Sequence, residues 1–267
     1  MRPNKLRDAL KESRVIFGMG VFSCSPTLVE IIGYSGFDFI YLDTEHTPLG
    51  YDSTLEHMIR AANVAGISVA LRVKGNDEHM IRNALEMGVD GVIIPHMMKK
   101  EDAEKAVKAA RFQPFGIRGA CAETRSANYG AGDFKWEDYI RRSNEDTVVI
   151  GLAEDKEFFD HIDDILSVKG LDMINFGPTD LAMSLGLPLL YQMDVPAIQE
   201  AFEKLVSRAP KYNTAIMCAA APPTLEQARK LITKGVRAII LRNDIVNFRN
   251  VCQQYIKDII SPLRDSK

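Results

Sequence analysis

The chain has 267 residues, 46% of them hydrophobic and 26% charged, with a formal net charge of -3. That is enough apolar material for a full core, and it lacks the basic excess and Lys/Arg blocks of a nucleic-acid scaffold. No apolar run approaches the ~20 residues of a membrane span, so no membrane partner is expected. Cys24, Cys121, Cys218 and Cys252 are scattered without CxxC spacing and read as reduced thiols. With a polar start, Met1 to Leu6, and no signal-peptide pattern, a cytoplasmic protein is expected.

The first expected strand is the apolar run at residues 15–19. A helix follows from Ser25-Pro26, carrying Leu28, Val29, Ile31 and Ile32 at helical spacing. Residues 37–43 form the second strand, and Leu55, Met58, Ile59 and Ala62 mark the helix after it. Residues 67–73 are the third strand, followed by a helix face of Met80, Ile81, Ala84 and Leu85. The fourth strand is 89–94, with a helix at 103–110. A longer connection, rich in Gly and Arg, runs from 112 to 144 and holds Tyr139 and Ile140 in a short helix.

The fifth strand is expected at 147–152, with a helix at 158–168 spaced by Phe159, Ile162, Ile165 and Leu166. Residues 171–176 are the sixth strand, and helices follow at 180–185 and 195–207. Strand seven includes 215–218, its helix 225–234; strand eight is 236–241, and the last helix spans 245–260. The strands are continuous apolar runs rather than alternating ones, as parallel strands covered on both faces require. Eight strand-then-helix units in a chain of this length predict a (β/α)8 barrel, a single domain over residues 1–267.

In such a barrel the functional residues gather at the carboxyl ends of the strands. Strand two ends in Asp43-Thr44-Glu45-His46, strand three in Leu71-Arg72-Val73 and strand four in Pro95-His96. Strand five ends in Ala153-Glu154-Asp155, and strand six runs into Gly177-Pro178-Thr179-Asp180. The glycine lets another group approach the backbone, and Pro178 suits the first turn of a helix, whose free N–H groups welcome an anion. Glu154 and Asp180 come from neighbouring strand ends, where two carboxylates can share Mg²⁺ or Mn²⁺. Taken singly, each has an ordinary explanation: Asp180 as a helix-start acid, His46 as a loop histidine, Arg72 in a salt bridge with Glu86 or another loop acid. His96 stands alone at its strand end. His57, His79 and His161 fall on helices and are not candidates.

In order along the chain, several motifs carry a resemblance. They are Gly36-Phe37-Asp38, Leu42-Asp43-Thr44-Glu45-His46, Leu71-Arg72-Val73, Leu85 to Gly91, Ile94-Pro95, Pro114 to Gly119 and Gly177 to Leu181. From about Gly18 to Asp244 the chain resembles the HpcH/HpaI family of metal-dependent (class II) pyruvate aldolases. The resemblance implies reversible cleavage of a 4-hydroxy-2-oxo acid to pyruvate and an aldehyde, with Mg²⁺, Mn²⁺ or Co²⁺ and no organic cofactor. It makes His46 the catalytic base and Arg72 the residue that steadies the enolate. Glu154 and Asp180 become the metal ligands, and Gly177, Pro178, Thr179 and Asp180 the wall that holds the keto-acid carboxylate. Asp43 matches a residue orienting a water at the metal, and Glu86 one that raises the basicity of the histidine.

The chain departs from the family at Leu152, where Gln is usual on the substrate side, and at Thr179, where Ala is usual. Leu152 implies a drier pocket that prefers apolar or short aldehydes, because its own strand offers no polar substitute. A homo-oligomer, a hexamer, is implied as well, with the last helix (Ile245, Val246, Val251, Tyr255, Ile259) consistent with an intersubunit contact. Two rival readings stay open: another enolate-forming lyase, citrate-lyase-β-like or macrophomate-synthase-like, and a metal-binding and keto-acid-binding barrel without turnover.

Overall fold

Eight parallel strands pair in chain order and close on themselves, β8 returning to β1. The computed structural model describes residues 4–188, 193 and 195–265. The strands are β1 Ile16–Val21, β2 Phe39–Asp43, β3 Ser68–Arg72, β4 Gly91–Ile94, β5 Val148–Ala153, β6 Met173–Phe176, β7 Ala215–Ala219 and β8 Ala238–Asn243. Every residue of β2 to β6 is buried, as the continuous apolar runs predict.

The helices are α1 Lys5–Glu12, α2 Pro26–Tyr34, α3 Ser53–Val64, α4 Glu78–Glu86, α5 Lys100–Ala110 and α6 Trp136–Asp146, then α7 Lys156–Asp160, α8 Ile162–Leu166, α9 Pro178–Ser184, α10 Pro196–Arg208, α11 Leu225–Thr233 and α12 Asp244–Tyr255. A π turn, Ile256–Ile260, and α13 Ser261–Asp265 continue α12.

Side chains alternate across a strand, so each strand feeds two cores. Phe39, Tyr41, Ala70, Ile93, Ile150, Leu152 and Met173 fill the barrel interior. Ile40, Leu42, Val69, Leu71, Val149 and Ile174 face the helix ring. The same alternation carries Asp43, Arg72, Glu154 and Asn175 onto the inward set, one step above the last apolar layer. It is this parity that aims the site.

Helix α1 has no counterpart in the strand-by-strand pattern. Asn4 caps it, accepting from the N–H groups of Leu6 and Arg7, and its amide donates to the carbonyls of Asp90 and Asp146 at 3.1 and 2.7 Å. Leu6, fully buried, joins the interior core, and Arg7 pairs with Asp172 at 2.8 Å. The helix therefore closes the amino end of the barrel, which strand counting cannot show. The 112–144 connection also holds more structure than its composition suggests. It contains a 3-10 turn at Arg125–Gly130 and most of the eleven-residue α6. Phe112, Ala127 and Tyr139 make a small core of their own, with the Arg118 guanidinium 4.5 Å from the Phe112 ring centroid.

All four cysteines are free. Among the described residues no helix is long and apolar enough to cross a membrane.

Candidate active site

At the carboxyl ends of the strands lies a cavity of about 320 Å³. Tyr41, Arg72, Leu152, Glu154 and Asn175 line it from β2, β3, β5, β6 and their ends, and residues 177–180 from the turn into α9. The position matches the rule for this architecture.

Arg72 is fixed before any ligand arrives. Its Nε donates to Asp43 Oδ1 at 2.9 Å and its Nη2 to Asp43 Oδ2 at 2.5 Å. Asp43 is fully buried, and Glu45 Oε2 lies 3.0 Å from Nη1 on the other side. The register pairs Asp43 with Arg72 directly across β2 and β3, so the fork geometry follows from strand pairing. Thr44 donates its hydroxyl to the Arg72 carbonyl at 2.7 Å and holds the backbone in turn. The Arg72 guanidinium stands 5.9 Å from the Tyr41 ring centroid. The expected role of Asp43, orienting a water, gains a firmer neighbour here: its hydrogen bonds in this structure go to Arg72 and to the N–H groups of Glu45 and His46.

Glu154 is the most deeply placed acid of the cavity, 1% exposed. Burial raises its pKa to about 7, against the hydrogen bond from the His96 N–H and the charge of that ring, while Asp180 raises it further. Gly177 explains how the α9 turn comes so near. A Cβ at that position would lie 2.9 Å from Glu154 Cβ and 3.5 Å from Oε2.

His96 is the residue the sequence reading left unpartnered. Its N–H donates to Glu154 Oε1 at 2.9 Å, and its Nδ1 is 3.0 Å from Asp155 Oδ2. Glu45 Oε1 is 3.8 Å from its Nε2. Burial disfavours the charged ring, but the Asp155 hydrogen bond and the surrounding carboxylates outweigh it and raise its pKa. His96, Glu154 and Asp155 each offer a ligand atom within 4.8 Å of one another. Two donor sets thus meet at Glu154: the expected one with Asp180, which lines the same cavity, and one with His96 and Asp155. Both are rich in carboxylate oxygen and suit a hard divalent cation. The signal for the second set, a histidine at one strand end and an Asp beside the glutamate of the next, was present but needed the β4–β5 pairing to be read.

The remaining expected residues divide. Thr179, Pro178 and Gly177 line the cavity. His46, just beyond the end of β2, does not line the cavity; its side chain is 58% exposed and its Nε2 lies 3.8 Å from Glu45 Oε2. Glu86 is not part of the assembly within this chain. It ends α4, and a helix between parallel strands runs back toward their amino ends, so its last residue faces away from the cavity. Its charge acts there on Arg118 and Cys121. Within one chain Glu86 therefore does not meet His46, and the acids that pair with Arg72 are Asp43 and the loop acid Glu45 rather than Glu86.

Leu152 is buried in the cavity wall, and a polar group stands next to it. Asn175, paired with Leu152 across β5 and β6, places an amide beside it. It is 6% exposed, and among the described residues its amide has no hydrogen-bond partner. Looking for a substitute along the same strand missed it, because the nearest polar group lies on the next strand.

The fold and this cavity define a (β/α)8 barrel enzyme whose site combines a clamped arginine, a deep glutamate and a close helix turn. The chain belongs to the HpcH/HpaI aldolase/citrate lyase family, whose sequence model matches residues 17–249. It is 30% identical over 252 residues to 5-keto-4-deoxy-D-glucarate aldolase of Shigella boydii serotype 18 (strain CDC 3083-94 / BS512), covering 94% of this chain and 95% of the relative. Among solved structures it is similar to the citrate synthase SbnG, at 29% identity and a TM-score of 0.85, over 98% of this chain and 99% of that one. An HpcH/HpaI aldolase/citrate lyase family protein from Burkholderia cenocepacia J2315 shares the fold at a TM-score of 0.87 and 24% identity, over 96% and 99%. The family is one of lyases and aldolases, and the curated relatives are named as aldolases.

Proposed function

We propose that the protein is a divalent-metal-dependent carbon–carbon lyase that cleaves a 4-hydroxy-2-oxo acid reversibly to pyruvate and an aldehyde. The observation that carries this is the placement of a pre-clamped Arg72 and a deep Glu154 on one cavity. Glu154 and Asp180 would hold the cation, which when bound supplies electrophilic polarisation of the 2-oxo group.

The chain's own residues do the rest. Cleavage breaks C3–C4, and the electron pair becomes the enolate of pyruvate. Arg72, already oriented by Asp43 and Glu45, presents fixed positive charge where that enolate oxygen develops, so little reorganisation is needed at the moment of reaction. The N-terminal turn of α9, at Thr179 and Asp180, faces the substrate carboxylate. The C4 hydroxyl must lose a proton as it becomes the aldehyde carbonyl, and His46, beyond the end of β2, is the group assigned to take it. Leu152, Tyr41 and Phe22 supply most of the apolar surface of the inner wall, beside the Asn175 amide.

The test is condensation of pyruvate with a panel of aldehydes in Mn²⁺, with and without EDTA, beside Mn²⁺ titration of variants. Glu154→Ala and Asp180→Ala are expected to lose both Mn²⁺ binding and turnover. Tight binding by Asp180→Ala together with its loss in Asp155→Ala would move the metal to the His96 side. A second reading, an enolate-forming enzyme of the citrate-lyase-β or macrophomate-synthase kind, is supported by the likeness to a citrate synthase. Turnover of citrate without turnover of any 4-hydroxy-2-oxo acid would select it.

A further inference from the structure

Tyr41 carries a hydroxyl into the barrel interior that the reaction above leaves unused. It is the middle residue of β2, on the same inward face as Phe39 and Asp43. A leucine or valine would fill an apolar interior without bringing a polar atom. Register sets Gly20 of β1 on one side of it and Ala70 of β3 on the other. The ring therefore lies between two of the smallest residues, and Gly20 and Tyr41 line the cavity together.

Tyr41 is 7% exposed, and among the described residues its hydroxyl has no hydrogen-bond partner. Nor is that hydroxyl shut in. The Tyr51 hydroxyl is buried without a partner, whereas that of Tyr41 keeps an opening, and the cavity is what it opens on. The Arg72 guanidinium stands 5.9 Å from the centre of its ring. Burial holds the phenol well above its ordinary pKa; Arg72 opposes this, while Asp43, Glu154 and Glu45 add to it. The group is therefore a neutral O–H, a donor rather than a base.

The guanidinium beside it is already committed. Nε and Nη2 of Arg72 donate to Asp43, and Nη1 faces Glu45. Arg72 thus supplies positive charge, but much of its hydrogen-bonding capacity is spent on acids. The neighbouring O–H is not spent. We propose that the Tyr41 hydroxyl is a second catalytic donor beside Arg72, giving a hydrogen bond to the enolate oxygen as it forms. When C3–C4 breaks, its electron pair becomes the C2–C3 double bond, and the π pair of the 2-oxo group moves onto the oxygen. Tyr41 keeps its own proton throughout; the C4 hydroxyl proton leaves to His46, and a proton returned to C3 completes pyruvate. A donor fixed in the wall contributes most where charge develops. The inference rests on the aldolase reading above.

The experiment follows exchange of the pyruvate C3 protons into D₂O in Mn²⁺, comparing wild type with Tyr41→Phe. Exchange breaks a C3–H bond and forms the same enolate with no aldehyde present. Tyr41→Phe is expected to lower kcat for exchange about 10- to 100-fold and to leave KM for pyruvate within about twofold. Oxalate places a charged oxygen where the enolate oxygen forms, and calorimetry should show it binding the variant about 10-fold more weakly. The melting temperature and Mn²⁺ affinity should hold, because the ring stays and the hydroxyl has no protein partner to lose. Either exchange at the wild-type rate or unchanged oxalate affinity in Tyr41→Phe overturns the assignment. A lower Mn²⁺ affinity in the variant overturns it too, since the hydroxyl would then act on the shape of the site. Exchange by wild type that the variant matches sinks Tyr41 alone, and no exchange by wild type sinks the aldolase reading and this assignment with it.

Discussion

Asp43 and Arg72 sit directly opposite each other on β2 and β3 and share two hydrogen bonds, at 2.9 and 2.5 Å, with the Arg72 side chain only 8% exposed. The pair is a positioning device. Without Asp43 the guanidinium keeps Glu45 but loses the bidentate partner that sets its plane. Asp43→Ala is expected to cost roughly 3 kcal/mol of stability by leaving a buried charge half-paired. It should also lower kcat more than it raises KM, because the enolate forms only after binding. Urea unfolding and steady-state kinetics check this. Asp43→Ala with wild-type kcat would show that Arg72 needs no orientation.

Glu154 makes stability depend on pH in the metal-free protein. Its ordinary pKa is 4.5, and burial raises it to about 7 in the fold. Between those values the folded state binds more protons than the unfolded chain, so this group's contribution falls as pH rises from about 4.5 to about 7 and then levels. Glu154→Gln removes the titration. In EDTA it is expected to be more stable than wild type at pH 8, on the order of 2 kcal/mol, with a flatter profile below pH 7. Parallel profiles for the two proteins would show that Glu154 is not the desolvated group.

Leu152 and Asn175 form a matched apolar and amide pair across β5 and β6. Asn175→Leu makes the wall dry on both strands and should lower kcat/KM for hydroxylated aldehydes by about 5- to 100-fold relative to apolar ones, the range of one lost hydrogen bond to one unmet buried donor. Leu152→Gln should shift the ratio the other way by less, since an amide is already present. A ratio untouched by Asn175→Leu would mean the acceptor never reaches this wall.

The last helix remains apolar where it meets solvent. Phe248 is 72% exposed and Leu263 69%, with Ile245, Val251, Tyr255 and Ile259 also open. Val246, expected on the same face, lines the cavity instead. A run of exposed apolar side chains of this size favours burial against a second copy of the chain. Sedimentation at micromolar concentration is expected to show a homo-oligomer, a hexamer by the family resemblance, and Phe248→Glu with Leu263→Glu should shift it to smaller species. A wild-type monomer ends the idea.

Sequence alone determined the barrel and the strand ends. Buried parallel strands are continuous apolar runs, and eight of them alternating with helical patterns leave one architecture for a chain of this length. Strand parity then follows from period two, so Asp43, Arg72 and Glu154 could be placed on one rim before any coordinates. What the tertiary structure decided is everything that depends on which strand neighbours which and in what register. Only pairing across strands gives Arg72 the clamp of Asp43 and Glu45, and gives His96 its Glu154 and Asp155 partners. The same pairing sets Asn175 beside Leu152. Helix direction, a property of the closed barrel, puts Glu86 at the end of α4 away from the cavity of its own chain. The register shift at the end of β8, from Ile240 opposite Gly18 to Asn243 opposite Gly20, is a mismatch between β8 and β1, and no stretch of either strand encodes it by itself.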